Sequence, residues 1–384
     1  MISTLKIKPF ALERYFAKYE FKTDYVLCAS DCQGLTVSWL MEHADIQCKT
    51  LWDNLTLGYT ESLGHPILRE EIAQLYESVD PSEVLVVSGP EEGIFITLNA
   101  LLKPKDHTIT TWPSYQSLYE IPMAIGCEVD IWPLQEHKGW SPSLPSLNNG
   151  MTDKTKVVII NFPHNPTGFL PDKKLFTDIV NICKEFNSYL LSDEVYRFLE
   201  YKTEDRLPSA VEAYDKSIVI SGMSKAFALA GLRIGWVITK DKELFKKIAE
   251  FKNYTTICNS APSEILAITA LRLKDEIIQR NIKIILKNFK IFEQSIENDS
   301  EFKYLFSWVP PKAGSVFFPS IRTELAATVF CNNLRKEEGV LLLPGKQFHY
   351  EDKNFRIGLG RTDFEVGMEK LIKYLNKHWH DFYI

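Results

Sequence analysis

No stretch of this chain approaches the roughly 18 uninterrupted apolar residues that a membrane-spanning helix needs. The first 21 residues mix Lys6, Lys8, Glu13, Arg14, Lys18 and Glu20 among apolar side chains, so a signal-peptide core is missing too, and a soluble, cytoplasmic protein without a membrane partner is expected. A basic tail or stripe is also absent. The net charge of −6 is spread along the sequence, which argues against a nucleic-acid partner. The seven cysteines form no Cys-x-x-Cys pair, so reduced, mostly buried thiols are expected. Cys28 and Cys32 have no second pair to complete a tetrahedral metal site, and no metal is expected. Internal repeats, low-complexity tracts and Ser/Gly linkers are lacking as well.

What is present is enough apolar material for a large core. With 384 residues, 45% of them hydrophobic, the chain exceeds the size at which single cores stop growing and should divide in two. Short β-branched runs alternate with longer helical stretches from about Thr50 to Ile284, the pattern of a doubly wound α/β domain. Seven runs read as strands buried on both faces: 84–88, 108–111, 128–132, 156–161, 189–193, 217–221 and 234–238. Between them, Lys173 to Phe186 places Leu175, Phe176, Ile179, Val180 and Ile182 on one helical face. A helical stretch from Pro262 to about Glu297 should lead out of this unit. The expected fold is a large, mixed, mostly parallel seven-stranded sheet domain over residues 47–285. A smaller α+β domain is expected from residues 1–46 and 286–384.

In open α/β sheets, ligands bind beyond the carboxyl ends of the strands. Three such ends carry different polar groups: Asn165-Pro-Thr-Gly168, Asp193-Glu-Val-Tyr196 and Ser221-Gly-Met-Ser-Lys225. Taken singly, the first reads as a turn, Asp193 as a helix cap and Lys225 as a solvated side chain. Their order and spacing point elsewhere.

Together with Gly58-Tyr59 through Leu68-Arg69, Ser88-Gly-Pro-Glu-Glu-Gly93, Trp112-Pro-Ser-Tyr115, Gly231-Leu-Arg233-Ile-Gly-Trp236 and Phe355-Arg356-Ile, the sequence resembles the class I/II aminotransferases over nearly its whole length. These are fold type I enzymes dependent on pyridoxal 5′-phosphate. The resemblance implies that Lys225 forms the internal Schiff base and that its freed amine moves a proton between the substrate Cα and the cofactor. It implies that Asp193 keeps the pyridine nitrogen protonated, that Asn165 and Tyr196 bond the phenolic oxygen, and that Tyr115 stacks on the ring. Gly89, Pro90, Glu91 and Arg233 match the phosphate site, and Arg356, with Asn165, the grip on the substrate carboxylate. Tyr59 resembles the tyrosine that reaches the neighbouring subunit's phosphate, implying a homodimer with shared active sites. Two positions depart from the pattern. Pro90 has no N–H to donate, and Gly222 stands where many relatives carry Ser or Thr, so Ser221 or Ser224 is expected to substitute.

The implied reaction carries an amino group from an L-amino acid to a 2-oxo acid through a pyridoxamine intermediate. A lyase, cyclase or oxidase on the same scaffold is the alternative. A non-catalytic protein that binds the cofactor or an amino acid is a third reading, disfavoured because both Lys225 and Asp193 are present and no spare N-terminal segment is left for a DNA-binding module. Trp112, His164, Lys346, His349 and Arg361 are further candidates for the pocket. Asp31-Cys-Gln-Gly34 and Gly345-Lys-Gln-Phe348 are the stretches expected to shape it. The unusual wording of the former hints at a basic amino acid.

Overall fold

A computed structural model describes residues 7–297, 299 and 302–382; residues 1–6 of the expected small domain lie outside it. We number only the elements used below. The main sheet contains β1 (Val84–Val87), β2 (His107–Trp112), β3 (Glu128–Gln135), β4 (Ser141–Pro142), β5 (Thr155–Asn161), β6 (Tyr189–Asp193), β7 (Ser217–Gly222) and β8 (Gly235–Ile238). Its order is β1-β8-β7-β6-β5-β2-β3-β4. The pairs from β7 through β6, β5 and β2 to β3 are parallel, while β8 is antiparallel to both its neighbours. All seven expected strands are there. The eighth, β4, is a two-residue antiparallel edge on β3, too short for any periodicity to show.

Alternate side chains along the central strands enter opposite cores, which is why the strands read as continuous apolar runs. Val158, Ile160, Leu190, Val219 and Trp236 belong to one cluster. Val157, Ile159, Leu191, Ile218 and Val237 belong to the other. Each fully buried Val, Leu or Ile contributes about 1.5–3 kcal/mol of transfer free energy, so neither face can be left bare. Helices α2 (Pro90–Leu101) and α3 (Lys173–Glu185) lie on opposite sides and close the two cores.

The stretch expected as one long helix is two. Helix α4 (Ala261–Arg272) stops at Leu273, whose dihedrals are φ −97° and ψ 13°, and α5 (Lys274–Glu297) begins directly after it. No Gly or Pro marks the break. The two differ in burial instead: every residue of α4 from Glu264 to Leu271 is buried, whereas α5 buries a stripe that includes Ile277, Ile285, Phe292 and Ile296. The boundary proposed at residue 285 falls inside α5.

Beyond α5, β9 (Val316–Phe317), β10 (Leu343–Pro344) and β11 (Phe355–Gly358) form an antiparallel sheet in the order β9-β11-β10. The N-terminal segment is bound to this part of the chain. Tyr25–Val26 pairs in parallel with Val340–Leu341, Gly358 N–H donates to Leu27 O at 2.7 Å, and Gln33 N–H donates to Gly360 O at 2.7 Å. Residues 27–33 therefore cross β11 in backbone contact. The crossing requires glycine: a Cβ at Gly358 would sit 1.8 Å from Ala29 O. Gly358→Ala should cost roughly 2–3 kcal/mol or more, read as a lower urea midpoint, because backbone on both sides must shift. An unchanged midpoint would contradict the crossing.

Candidate active site

The carboxyl ends of β5, β6 and β7 open into a cavity of about 560 Å³. Asn161 at the end of β5 ties two of them together. Its Nδ2 donates to Asp193 O at 3.0 Å, and its Oδ1 accepts from Asn165 N–H at 2.8 Å, which fixes the turn carrying Asn165. The turn expected from Asn, Pro and Gly is present, and its side chain faces the site.

Asp193 is 5% exposed. Burial pushes its carboxyl up to about 7, against the pull of the Val195 N–H at 3.2 Å and the nearby Lys225 charge. Its neighbour Glu194 is equally buried, but Ser209 Oγ and Ala210 N–H both donate to it, so its charge is answered locally. Only Asp193 lines the cavity.

Lys225 follows β7, and its Nζ donates to Ser30 Oγ at 2.8 Å. Burial lowers its pKa, while Asp31, Glu13 and Asp193 oppose that and Arg356 adds to it. The net shift is toward the neutral amine, the form of a lysine that can act as a nucleophile. Tyr196 is fully buried and its hydroxyl donates to Ser30 O at 3.2 Å. Arg356, on β11, is 1% exposed; its Nη1 donates to Asn165 Oδ1 at 3.0 Å and its Nη2 to Cys28 O at 2.8 Å. Phe16 and Phe348 place their ring centres 5.8 and 5.5 Å from the guanidinium carbon.

At the other end, α2 starts at Pro90 behind Gly89, whose φ of 91° suits only glycine. A Cβ on Gly89 would lie 2.7 Å from Arg233 Nη2, so the missing side chain is what brings this cation against the helix N-terminus. Pro90 and Glu91 line the cavity, as do Arg233 and Ser224. Ser221 does not: its hydroxyl donates to Glu194 O at 3.3 Å, which corrects the expectation that it faces the phosphate site. The two departures from the family pattern meet each other. A Cβ at Gly222 would lie 2.8 Å from Pro90 Cγ and 2.9 Å from Ile234 O, so a hydroxyl-bearing side chain has no room there.

Tyr115 lines the cavity with its ring 5.1 Å from Phe10. Tyr59 is 90% exposed and does not line this cavity. Trp112, His164, Lys346, His349 and Arg361 do not line it either. His164 is buried and held neutral, its pKa pushed down to about 3, and Arg361 is paired with Asp31 at 2.9 Å. All seven cysteines are free, and no metal-holding cluster of His, Cys, Asp or Glu exists among the described residues. No described helix is long and apolar enough to cross a membrane.

The residues that motif reading missed come from helix α1 (Ala11–Tyr19) and its flanks. Phe10, Leu12, Glu13, Phe16 and Glu20 cover the cavity, and Ser30 joins Lys225 to Tyr196. Nothing local marks them as site residues, since α1 reads as an ordinary amphipathic helix.

An amine, a buried carboxyl, an aromatic ring and a cation at a helix N-terminus, gathered in one cavity, suit the aldehyde, pyridine nitrogen, ring and phosphate of pyridoxal phosphate in turn. The fold and site are thus those of a fold type I pyridoxal-phosphate enzyme. The chain belongs to the family Aminotransferase class I and II, which it matches over residues 25–373. It is similar to the structure of a PLP-dependent aminotransferase from Streptococcus suis 89-1591, with 32% identity, a TM-score of 0.90 and coverage of 97% of this chain and 98% of that one. It is 28% identical to the aspartate aminotransferase of Thermotoga maritima, covering 83% of this chain and 82% of the relative. The structure of the PLP-dependent cyclase OrfR is similar too, with 25% identity, a TM-score of 0.88 and coverage of 98% and 99%.

Burying Asp193 has a pH signature. Its folded pKa of about 7 lies above the ordinary 3.8, so the folded state holds the proton more tightly. Stability of the cofactor-free protein should therefore fall as pH rises from about 4 through 7. Asp193→Asn should remove this slope, a difference on the order of 2–3 kcal/mol between pH 5 and 8 in urea unfolding. Identical pH slopes in the two proteins would refute the assignment.

Proposed function

We propose that this protein transfers the amino group of an L-amino acid to a 2-oxo acid, with Lys225 as the cofactor-bearing lysine. The reading rests on one observation above all: the Lys225 amine, the Asp193 carboxyl and the Arg356 guanidinium line the same cavity. Bound pyridoxal phosphate supplies an electron sink for the pair left at the substrate Cα. Asp193 is assigned to hold a proton on the pyridine nitrogen, and Tyr115 to press on the ring. Asn165 and Tyr196 are assigned to the phenolic oxygen, and Gly89, Pro90, Glu91, Ser224 and Arg233 to the phosphate end. Arg356 grips the substrate carboxylate with a planar, permanently charged fork, and Asn165 Oδ1 holds that fork in plane. Lys225, within reach of Ser30 and lowered by burial, moves the proton at Cα.

The runner-up is a cyclase or lyase, supported by the similarity to OrfR. Products separate the two. Steady-state kinetics with amino acid and 2-oxo acid should give parallel double-reciprocal lines and one new amino acid per 2-oxo acid formed. Pyruvate, ammonia or a cyclised product without a new amino acid would overturn transamination. Lys225→Ala should abolish turnover. Arg356→Lys should raise KM roughly 10- to 100-fold, the worth of a charge-assisted hydrogen bond lost from the fork.

A cytoplasmic homodimer is part of the proposal. Leu57, Tyr59, Tyr254 and Ile257 are exposed on two loops joined by the Thr60 Oγ1 bond to Asn259 O at 3.4 Å. A second copy would cover them and bring Tyr59 to the partner's phosphate site. Sedimentation at micromolar concentration should give twice the chain mass; a monomer mass would contradict shared sites.

A further inference from the structure

The cavity wall opposite the sheet carries more negative charge than the chemistry above uses. Glu13, Phe16 and Glu20 follow at helical spacings of three and four, so they share the face of α1 and its following turn that looks into the cavity. Asp31 joins them at the rim and is answered by Arg361. Glu13 and Glu20 have no cation partner among the described residues; Glu13 accepts only the Tyr115 hydroxyl, at 3.4 Å. The cations lining the cavity are Lys225, Arg233 and Arg356, and each already has a task at the aldehyde, the phosphate or the α-carboxylate. None is left for a second carboxylate. Phe10, Leu12 and Phe16 supply apolar surface to the same cavity, with the Phe16 ring centre 5.8 Å from the Arg356 guanidinium carbon.

We propose that this site selects an amino acid whose side chain is an aliphatic stem ending in a cation, with Glu13 and Glu20 as its specificity-determining residues. The proposal rests on the reading of the cavity as the amino-acid site of a pyridoxal-phosphate enzyme. It departs from the relatives named aspartate aminotransferases: a dicarboxylic side chain would meet Glu13 and Glu20, neither of which is ion-paired among the described residues. Burial, then the charges of Asp31 and Glu13, raise the Glu20 pKa against the pull of Arg361 and Lys225, so this end of the cavity remains acidic.

The test uses the holoenzyme and its Glu13→Gln and Glu20→Gln variants, which keep side-chain shape. Each is titrated with L-ornithine, L-lysine, L-arginine, L-norleucine, L-aspartate and L-glutamate, reading both the bound cofactor's absorbance and product formation. At least one cationic amino acid should exceed norleucine by about tenfold or more in kcat/KM, with the dicarboxylates poorest. Each variant should lower that cation-to-norleucine ratio by about fivefold, mainly through KM. A preference for aspartate or glutamate, ratios unchanged in both variants, or no absorbance change with any amino acid would overturn the proposal. If cationic amino acids alone perturb the cofactor and the variants weaken this, but no 2-oxo acid is aminated, selectivity stands and transamination falls.

Discussion

The crossing of residues 27–33 over β11 is the contact on which the site depends. At its centre, Gly358 gives way to the Ala29 carbonyl, and Ser30 is presented to three side chains. Ser30 O accepts from both Tyr196 and Ser315, and its Oγ accepts from Lys225. The same segment offers Cys28 O to Arg356. One backbone stretch thus connects Tyr196, Lys225 and Arg356, the last of which lies 131 positions beyond Lys225. A separate bond, Tyr15 to Leu342 O, ties α1 to the segment next to β10, and α1 lines the cavity.

Around that crossing the protein holds several charged groups out of water. Arg356 and Asp193 are almost inaccessible, and Lys225 is half-buried. Isolated charges in such places carry a desolvation penalty of several kcal/mol each. Hydrogen bonds to Cys28 O, Asn165 and Ser30 offset part of that cost, and under the proposed function cofactor and substrate would supply the opposite charges. Two packed cores, one on each face of the sheet, in which Val157, Val158, Ile159 and Ile160 are all at 0% exposure, supply the stability against which this preorganisation is set.

What could be read in the sequence was whatever is local. Strands buried on both faces announce themselves as β-branched runs, and Asn165, Asp193 and Lys225 sit at strand ends where doubly wound topology places ligands. The family resemblance then gave these ends their roles. The break at Leu273 left no trace because apolar periodicity continues through it. The direction of the Ser221 hydroxyl depends on Glu194 O, a contact from just beyond the end of the neighbouring strand. Glu13 and Glu20 are two carboxylates among many until tertiary structure folds α1 across the cavity. The pairing of Pro90 with Gly222 is a steric relation across 132 positions, and neither residue explains itself alone.

Lys225 as the point of cofactor attachment is tested most directly by reducing the holoenzyme with borohydride and mapping its peptides by mass. The account predicts a single phosphopyridoxyl adduct on the peptide containing Lys225. An adduct on another lysine, or none on this one, would contradict it.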